Sequence, residues 1–200
     1  MERTINRTLH ITLTASILIS GIFVLFAKDL GLLIYNSEEV GFLLQVLAPL
    51  MPVMYLESVV DGILKGLNQQ VSSLKYSVAD SVIRIILIVV LVPIRGMEGF
   101  LFVMIVSNLL TSFLNIHRLL SITGVKLQWG RWIIKPVLAM ATSGAVALLM
   151  NRIPFIGALS RLPNLCIVGV AAVLLYGVLL IMTGCVTKEE LRQTSFRKIN

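Results

Sequence analysis

Long apolar runs separated by short polar stretches dominate the chain. A helix needs about 20 apolar residues to cross a hydrocarbon core of about 30 Å. Helices are expected because backbone polar groups in lipid must be satisfied within their own segment, and the alternation of a membrane barrel is absent. The pattern predicts an all-α, polytopic transmembrane helical bundle. Its six predicted spans lie near residues 10–27, 41–64, 74–92, 97–116, 136–150 and 164–184.

The predicted bundle occupies residues 1–186, and residues 187–200 form a polar tail. Between the first two spans, residues 28–41 are expected to lie at the outer interface. Between the third and fourth, PIRGMEG at 93–99 predicts a tight turn that contains glycine.

The second span contains two prolines near its middle, Pro49 and Pro52. A proline removes an intrahelical hydrogen bond and clashes with the preceding turn, which predicts a kink where a transporter helix could bend. The other interpretation is that the helix tolerates both residues without moving.

The excess of basic residues is explained by membrane topology better than by nucleic-acid binding. The 17 Lys and Arg residues exceed the 10 Asp and Glu residues and give a net charge of +7, which could indicate nucleic-acid binding. However, if six spans alternate from a cytoplasmic N-terminus, twelve of the 17 basic residues lie on the inner side. This bias predicts a multi-pass protein of the cytoplasmic membrane with both termini in the cytoplasm and no nucleic-acid partner.

Four ionisable residues interrupt the apolar runs: Glu57 and Asp61 in the second span, and Asp80 and Arg84 in the third. Each pair is spaced i, i+4 and therefore lies on one helix face. Folding the two spans about GLNQQV at 66–71 brings Glu57 level with Asp80, with Arg84 about one turn deeper. The cluster could be a salt bridge that pins the hairpin. It could also line a pathway, with Arg84 meeting an anionic headgroup and a carboxylate binding a coupling cation or proton.

The fourth span carries a polar stripe, for which interhelical hydrogen bonding is the favoured interpretation. Its residues are Ser107, Asn108, Thr111 and Asn115. No catalytic, phosphate-binding or metal-ligand motif is present, so the sequence predicts no enzyme, metal or cofactor.

Two stretches carry a family resemblance: GILKGLNQQ at 62–70 and VPIRGMEG at 92–99. With the surrounding residues and the ending TKEEL at 187–191, they resemble the C-terminal half of stage V sporulation protein B. That family of polysaccharide-type flippases belongs to a larger group that includes lipid II flippases, oligosaccharide flippases and multidrug exporters.

The resemblance implies the last six of about fourteen helices, which are arranged in two bundles around a central cavity. It implies a flippase for lipid-linked polysaccharide or peptidoglycan precursors in cell-wall synthesis or sporulation. The implied partners are membrane lipids, a lipid-linked sugar precursor with an anionic headgroup, and an N-terminal transmembrane bundle supplied outside this chain. The alternatives are a cation-coupled multidrug exporter, a non-transporting membrane subunit, or an inert truncated fragment.

Overall fold

A computed structural model describes residues 2–124, 130–150 and 161–183, and within these ranges the chain is almost entirely helical and contains no strand. A short 3-10 segment and a π-helical turn interrupt the α-helices. The elements in order are α1 Glu2–Tyr35, α2 Glu38–Leu47, the 3-10 segment Ala48–Leu50, α3 Met51–Gly66, α4 Gln70–Thr123, the π-helical turn Gly130–Ile134, α5 Lys135–Met150 and α6 Arg161–Met182.

Five helical stretches of the described chain are long and apolar enough to cross a membrane. This confirms the expectation of a helical protein whose segments are long and apolar enough to span a membrane. The count differs from six because α4 contains both the third and the fourth predicted spans. The five stretches are Glu2–Tyr35, Glu38–Gly66, Gln70–Thr123, Trp132–Leu149 and Pro163–Met182.

Helix α4 is a hairpin of two arms, which we call the first arm (70–95) and the second arm (97–123). Between them, Gly96 has φ 57° and ψ −131°, a conformation that glycine adopts far more readily than other residues. Arg84 and Ser107 are in hydrogen-bond contact at 2.9 Å, although they would lie about 35 Å apart along a straight helix. Gly99 permits the close return, because a Cβ there would lie 2.7 Å from the carbonyl oxygen of Leu91. The turn predicted at 93–99 is therefore present.

Asparagines in the left-handed conformation follow the ends of two helices. At the end of α3, Asn68 has φ 60°. Its N–H donates to the Lys65 carbonyl at 3.1 Å, and the Gln69 N–H donates to the Leu64 carbonyl at 2.9 Å. These two bonds form a Schellman motif, which satisfies carbonyls at the helix end.

The stretch 28–41, predicted to lie at the outer interface, is largely helical, and its position at an interface stays a prediction. Helix α1 continues to Tyr35, and α2 begins at Glu38. Residues 28–35 contain no proline to interrupt the helix, which ends at Asn36 with φ 50°. The predicted tail at 187–200 lies outside the described residues.

The chain divides into two compact units. Unit 1 comprises Met1–Ser16 and Leu47–Leu127, and unit 2 comprises Ile17–Val46 and Gln128–Asn200. The described core of unit 2 consists of two clusters of buried apolar side chains, so van der Waals contact between these side chains holds its helices together. Its two clusters contain Ile17, Ala139, Met140, Tyr176 and Leu180, and Phe26, Ala147, Val168 and Ala172.

Helices α1 and α2 approach each other closely within unit 2 because glycines lie at the contact. A Cβ on Gly31 would lie 2.6 Å from the Gly41 Cα and 2.9 Å from the Ser37 carbonyl oxygen. These are backbone atoms, which cannot move aside as a flexible side chain can. Small residues allow this kind of backbone approach between membrane helices.

We predict that Gly31→Ala destabilises the protein, by about 1–3 kcal/mol as for an overpacked core. The measurement is the thermal unfolding midpoint of the purified protein in detergent. The matched control is Gly177→Ala in α6, where an added Cβ meets nothing within 4 Å and the higher helix propensity of alanine should preserve or raise stability. Equal effects of the two substitutions would show that the Gly31–Gly41 contact is unimportant.

Candidate functional site

The interior of unit 1 contains a group of buried polar residues beside buried apolar ones such as Val60, Leu64 and Leu119. On the first arm of α4, Ser73 and Asp80 are buried. The large apolar side chains of this arm face outward, as expected of a helix that borders lipid or another membrane segment. They include Val71, Leu74, Val78, Val82, Ile85, Ile86, Val89 and Val90.

The second arm contributes a row of buried polar residues to the same unit: Ser107, Asn108, Thr111, Ser112 and Asn115. Two of them bond their own helix. Asn108 Nδ2 donates to the Met104 carbonyl at 2.7 Å, and Thr111 Oγ1 donates to the Ser107 carbonyl at 3.0 Å. The predicted interhelical bonding of this stripe therefore does not hold for Asn108 and Thr111.

Asp80, Arg84 and Ser107 form a closed ring that joins the two arms of α4. Arg84 donates from Nη2 to Asp80 Oδ2 at 2.7 Å and from Nε to Ser107 Oγ at 2.9 Å. The Ser107 hydroxyl in turn donates to Asp80 Oδ1. Both oxygens of the buried carboxylate are therefore satisfied, and its charge is neutralised by the guanidinium. The Arg84 side chain remains 38% exposed, so part of the guanidinium is accessible from outside the unit.

Asp61 has its own partners nearer the α3–α4 turn. It forms a salt bridge with Lys65 one turn later on α3, at 2.6 Å. It also accepts a hydrogen bond from the hydroxyl of Ser73 on the first arm. Asp61 therefore links α3 to the first arm, and its charge is compensated by Lys65.

Glu57 lies half-buried on α3 and differs from the other two acids. The charges of Asp80, Arg84 and Asp61 all act on its carboxylate, and Ser112 on the second arm lies near it. However, the salt bridge of Arg84 is with Asp80 and that of Lys65 is with Asp61. Glu57 is therefore the acid of this group that no described salt bridge neutralises.

The structure brings together the four residues that the sequence singled out, but with different pairing. The expected interhelical partner of Arg84 was an acid on α3, whereas its observed salt bridge is with Asp80 on the same arm. Hydroxyl groups make the links between helices. Sequence reasoning missed Ser73 and Ser112. Ser73 precedes Asp80 by seven residues, which places both on one face of the first arm.

The prolines Pro49 and Pro52 lie at the junction of α2 and α3. Pro49 is within the 3-10 segment Ala48–Leu50, and Pro52 is in the first turn of α3. The α-helical ladder is thus interrupted at this point of the second predicted span. Whether the segment bends during function stays a prediction.

At the α3–α4 turn, the second arm is also tied to the loop, because Arg118 Nη2 donates to Gln69 Oε1 at 2.8 Å.

Within the described ranges, no group of three or more His, Cys, Asp or Glu residues could hold a metal ion.

The fold and this interior indicate a helical membrane protein with ionisable side chains within helices long and apolar enough to span a bilayer. No protein-family model, curated protein or solved structure matches the chain.

We predict that removing only the Asp80 charge of the ring costs more stability than removing the charges of Asp80 and Arg84 together. Asp80→Asn leaves the Arg84 charge uncompensated and should cost about 3 kcal/mol, the low end for a buried pair because Arg84 is partly exposed. The double variant Asp80→Asn with Arg84→Met should recover part of that loss. A double-mutant cycle on thermal unfolding in detergent measures the coupling.

The control for the ring is Ser121→Ala, on the same arm, where the hydroxyl is exposed and bonds only the Arg118 carbonyl of its own helix. This variant should unfold at the wild-type temperature. Additive effects of the Asp80 and Arg84 substitutions would contradict the ring as an energetic unit.

Proposed function

We propose that the chain is the C-terminal part of a membrane flippase or exporter. It moves lipid-linked polysaccharide or peptidoglycan precursors across the cytoplasmic membrane by alternating access. The observation that carries the proposal is the charged and hydroxyl-rich interior of unit 1, built from helices long enough to span a bilayer. Ionisable groups at this depth are costly and characteristically mark substrate or ion pathways. The substrate class rests on the resemblance of residues 62–70 and 92–99 to polysaccharide-type flippases.

The roles of the charged residues follow from their partners. Asp80 and Asp61 are already neutralised by Arg84 and Lys65. Glu57 is the carboxylate that remains available to a proton or a cation. Arg84 uses two of its five N–H donors within the ring, which leaves others for an anionic headgroup.

A second candidate is a cation-coupled multidrug exporter. The acid excess favours it, because Glu57, Asp61 and Asp80 are accompanied by only two basic partners in this described cluster, Arg84 and Lys65. Such a site would select cations rather than an anionic headgroup. A comparison of lipid-linked sugars with cationic drugs as substrates of the reconstituted transporter separates the two candidates.

We predict that Glu57→Gln lowers the transport rate by about 5–150-fold, the factor that corresponds to a typical coupling free energy between two sites. The reason is that the neutral amide cannot bind and release a proton or cation. Arg84→Ala should also reduce transport of a lipid-linked substrate. The measurement is flipping of a labelled precursor in vesicles that contain the chain together with its N-terminal bundle.

The matched control is Glu39→Gln, which changes an exposed acid in the first turn of α2 and should leave transport unchanged. Wild-type transport by both Glu57→Gln and Arg84→Ala at normal expression would refute the proposal. That result would favour the reading in which the charged cluster only assembles the helices.

A further inference from the structure

The first arm of α4 carries polar residues along one of its faces. Ser73, Ser77 and Arg84 are spaced by four and seven residues, and Asp80 and Ser81 lie between them, so all five share this face at 3.6 residues per turn. The other side of the arm is apolar and exposed, as the list of its outward-facing side chains shows. The first arm is therefore two-sided along its length.

The polar face has a buried edge and an exposed edge. Ser73 and Asp80 are buried in the interior of unit 1. Ser77 and Ser81 are exposed, and Arg84 lies between the two edges with its side chain 38% exposed. We call Ser77, Ser81 and the exposed part of Arg84 the polar edge.

The position of Arg84 argues that the polar edge does not border lipid. Arg84 lies 14 residues after Gln70, which is about 20 Å along the helix and deep within a stretch long enough to span a bilayer. An exposed guanidinium at that depth is costly in lipid, so such groups characteristically face a water-filled cavity. The serines alone would not require water, because Ser81 Oγ donates to the Ser77 carbonyl at 2.8 Å within its own helix.

The hydrogen-bonding groups of the polar edge suit hydroxyl-bearing ligands. Asp80 compensates the charge of Arg84, so the edge offers donors with little net positive charge. Arg84 keeps N–H donors beyond those used in the ring, and the Ser81 oxygen keeps lone pairs that can accept. A sugar hydroxyl both donates and accepts, and sites that hydrogen-bond a hydroxyl discriminate strongly in its favour.

We propose that the polar edge is the wall of a water-filled path and binds the sugar hydroxyls of the transported headgroup. Ser77 and Ser81 are positioning residues in this proposal, and Arg84 supplies the donors between them. The proposal rests on the proposed function in taking a sugar-bearing headgroup as the substrate.

The test is labelling of single cysteines by a charged methanethiosulfonate, which reacts with thiolates and does not enter lipid. Cys166 and Cys185 are first replaced by alanine, and Ser77→Cys or Ser81→Cys is then introduced into the complete chain. The protein is reconstituted in phospholipid vesicles with reagent on both sides, and the labelled fraction is measured by mass spectrometry over time.

Val78→Cys and Val82→Cys are the matched controls. Each lies one residue from its serine, at the same depth to within about 1.5 Å, but about 100° around the helix on the exposed apolar side. We expect both serine positions to be labelled at least about tenfold faster than both valine positions, because thiolates scarcely form in apolar surroundings.

Protection by soluble probes tests the ligand class. N-acetylglucosamine should slow labelling at Ser77→Cys and Ser81→Cys, by about twofold when half of the sites are occupied. Inorganic pyrophosphate should protect less. Equal labelling of the serine and valine positions would overturn the water-filled path. Absence of protection by N-acetylglucosamine, or protection by pyrophosphate alone, would overturn the assignment to sugar hydroxyls.

The labelling requires no transport, so its failure is distinct from failure of the proposed function. A protein that moves the lipid-linked precursor but shows no protection at these positions refutes the polar edge alone. A protein that shows the protection but transports nothing supports the polar edge and refutes the transporter.

Discussion

An ionised side chain in a membrane-embedded bundle must have a counter-charge or a strong donor at contact distance, and the structure of unit 1 depends on this requirement. Asp80 is buried because Arg84 and Ser107 satisfy both of its oxygens. Ser107 can do so only because α4 folds back on itself at Gly96. The hairpin and the ring therefore depend on each other: the turn brings the arms together, and the ring fixes which residues meet.

The two units are stabilised by different means. In unit 2, apolar clusters and the close backbone approach of Gly31 and Gly41 provide ordinary van der Waals packing. In unit 1, hydroxyls and charges link helices beside buried apolar residues such as Val60, Leu64 and Leu119. Polar interiors have few satisfactory arrangements, because each donor and acceptor needs a partner. A change in the charge of one carboxylate in unit 1 therefore alters the hydrogen bonds of the side chains around it.

Hydropathy and helical spacing predicted the helical fold class and the turn at 93–99. They failed where one-dimensional patterns lack information. Hydropathy could not show that α1 continues to Tyr35, because that stretch is polar at its start yet has no helix breaker. Spacing also could not choose between Asp80 and Glu57 as the partner of Arg84, since both are within reach. Serines such as Ser112 are common in membrane helices, so their roles emerge only from contacts.

The break in α4 also has a topological meaning. An even number of membrane crossings returns a chain to the side from which it started, and an odd number leaves it on the other. A continuous α4 would count as one crossing, whereas two arms folded back at Gly96 count as two. If both arms cross a bilayer, the backbone conformation of this single glycine returns the chain to the side from which it entered α4.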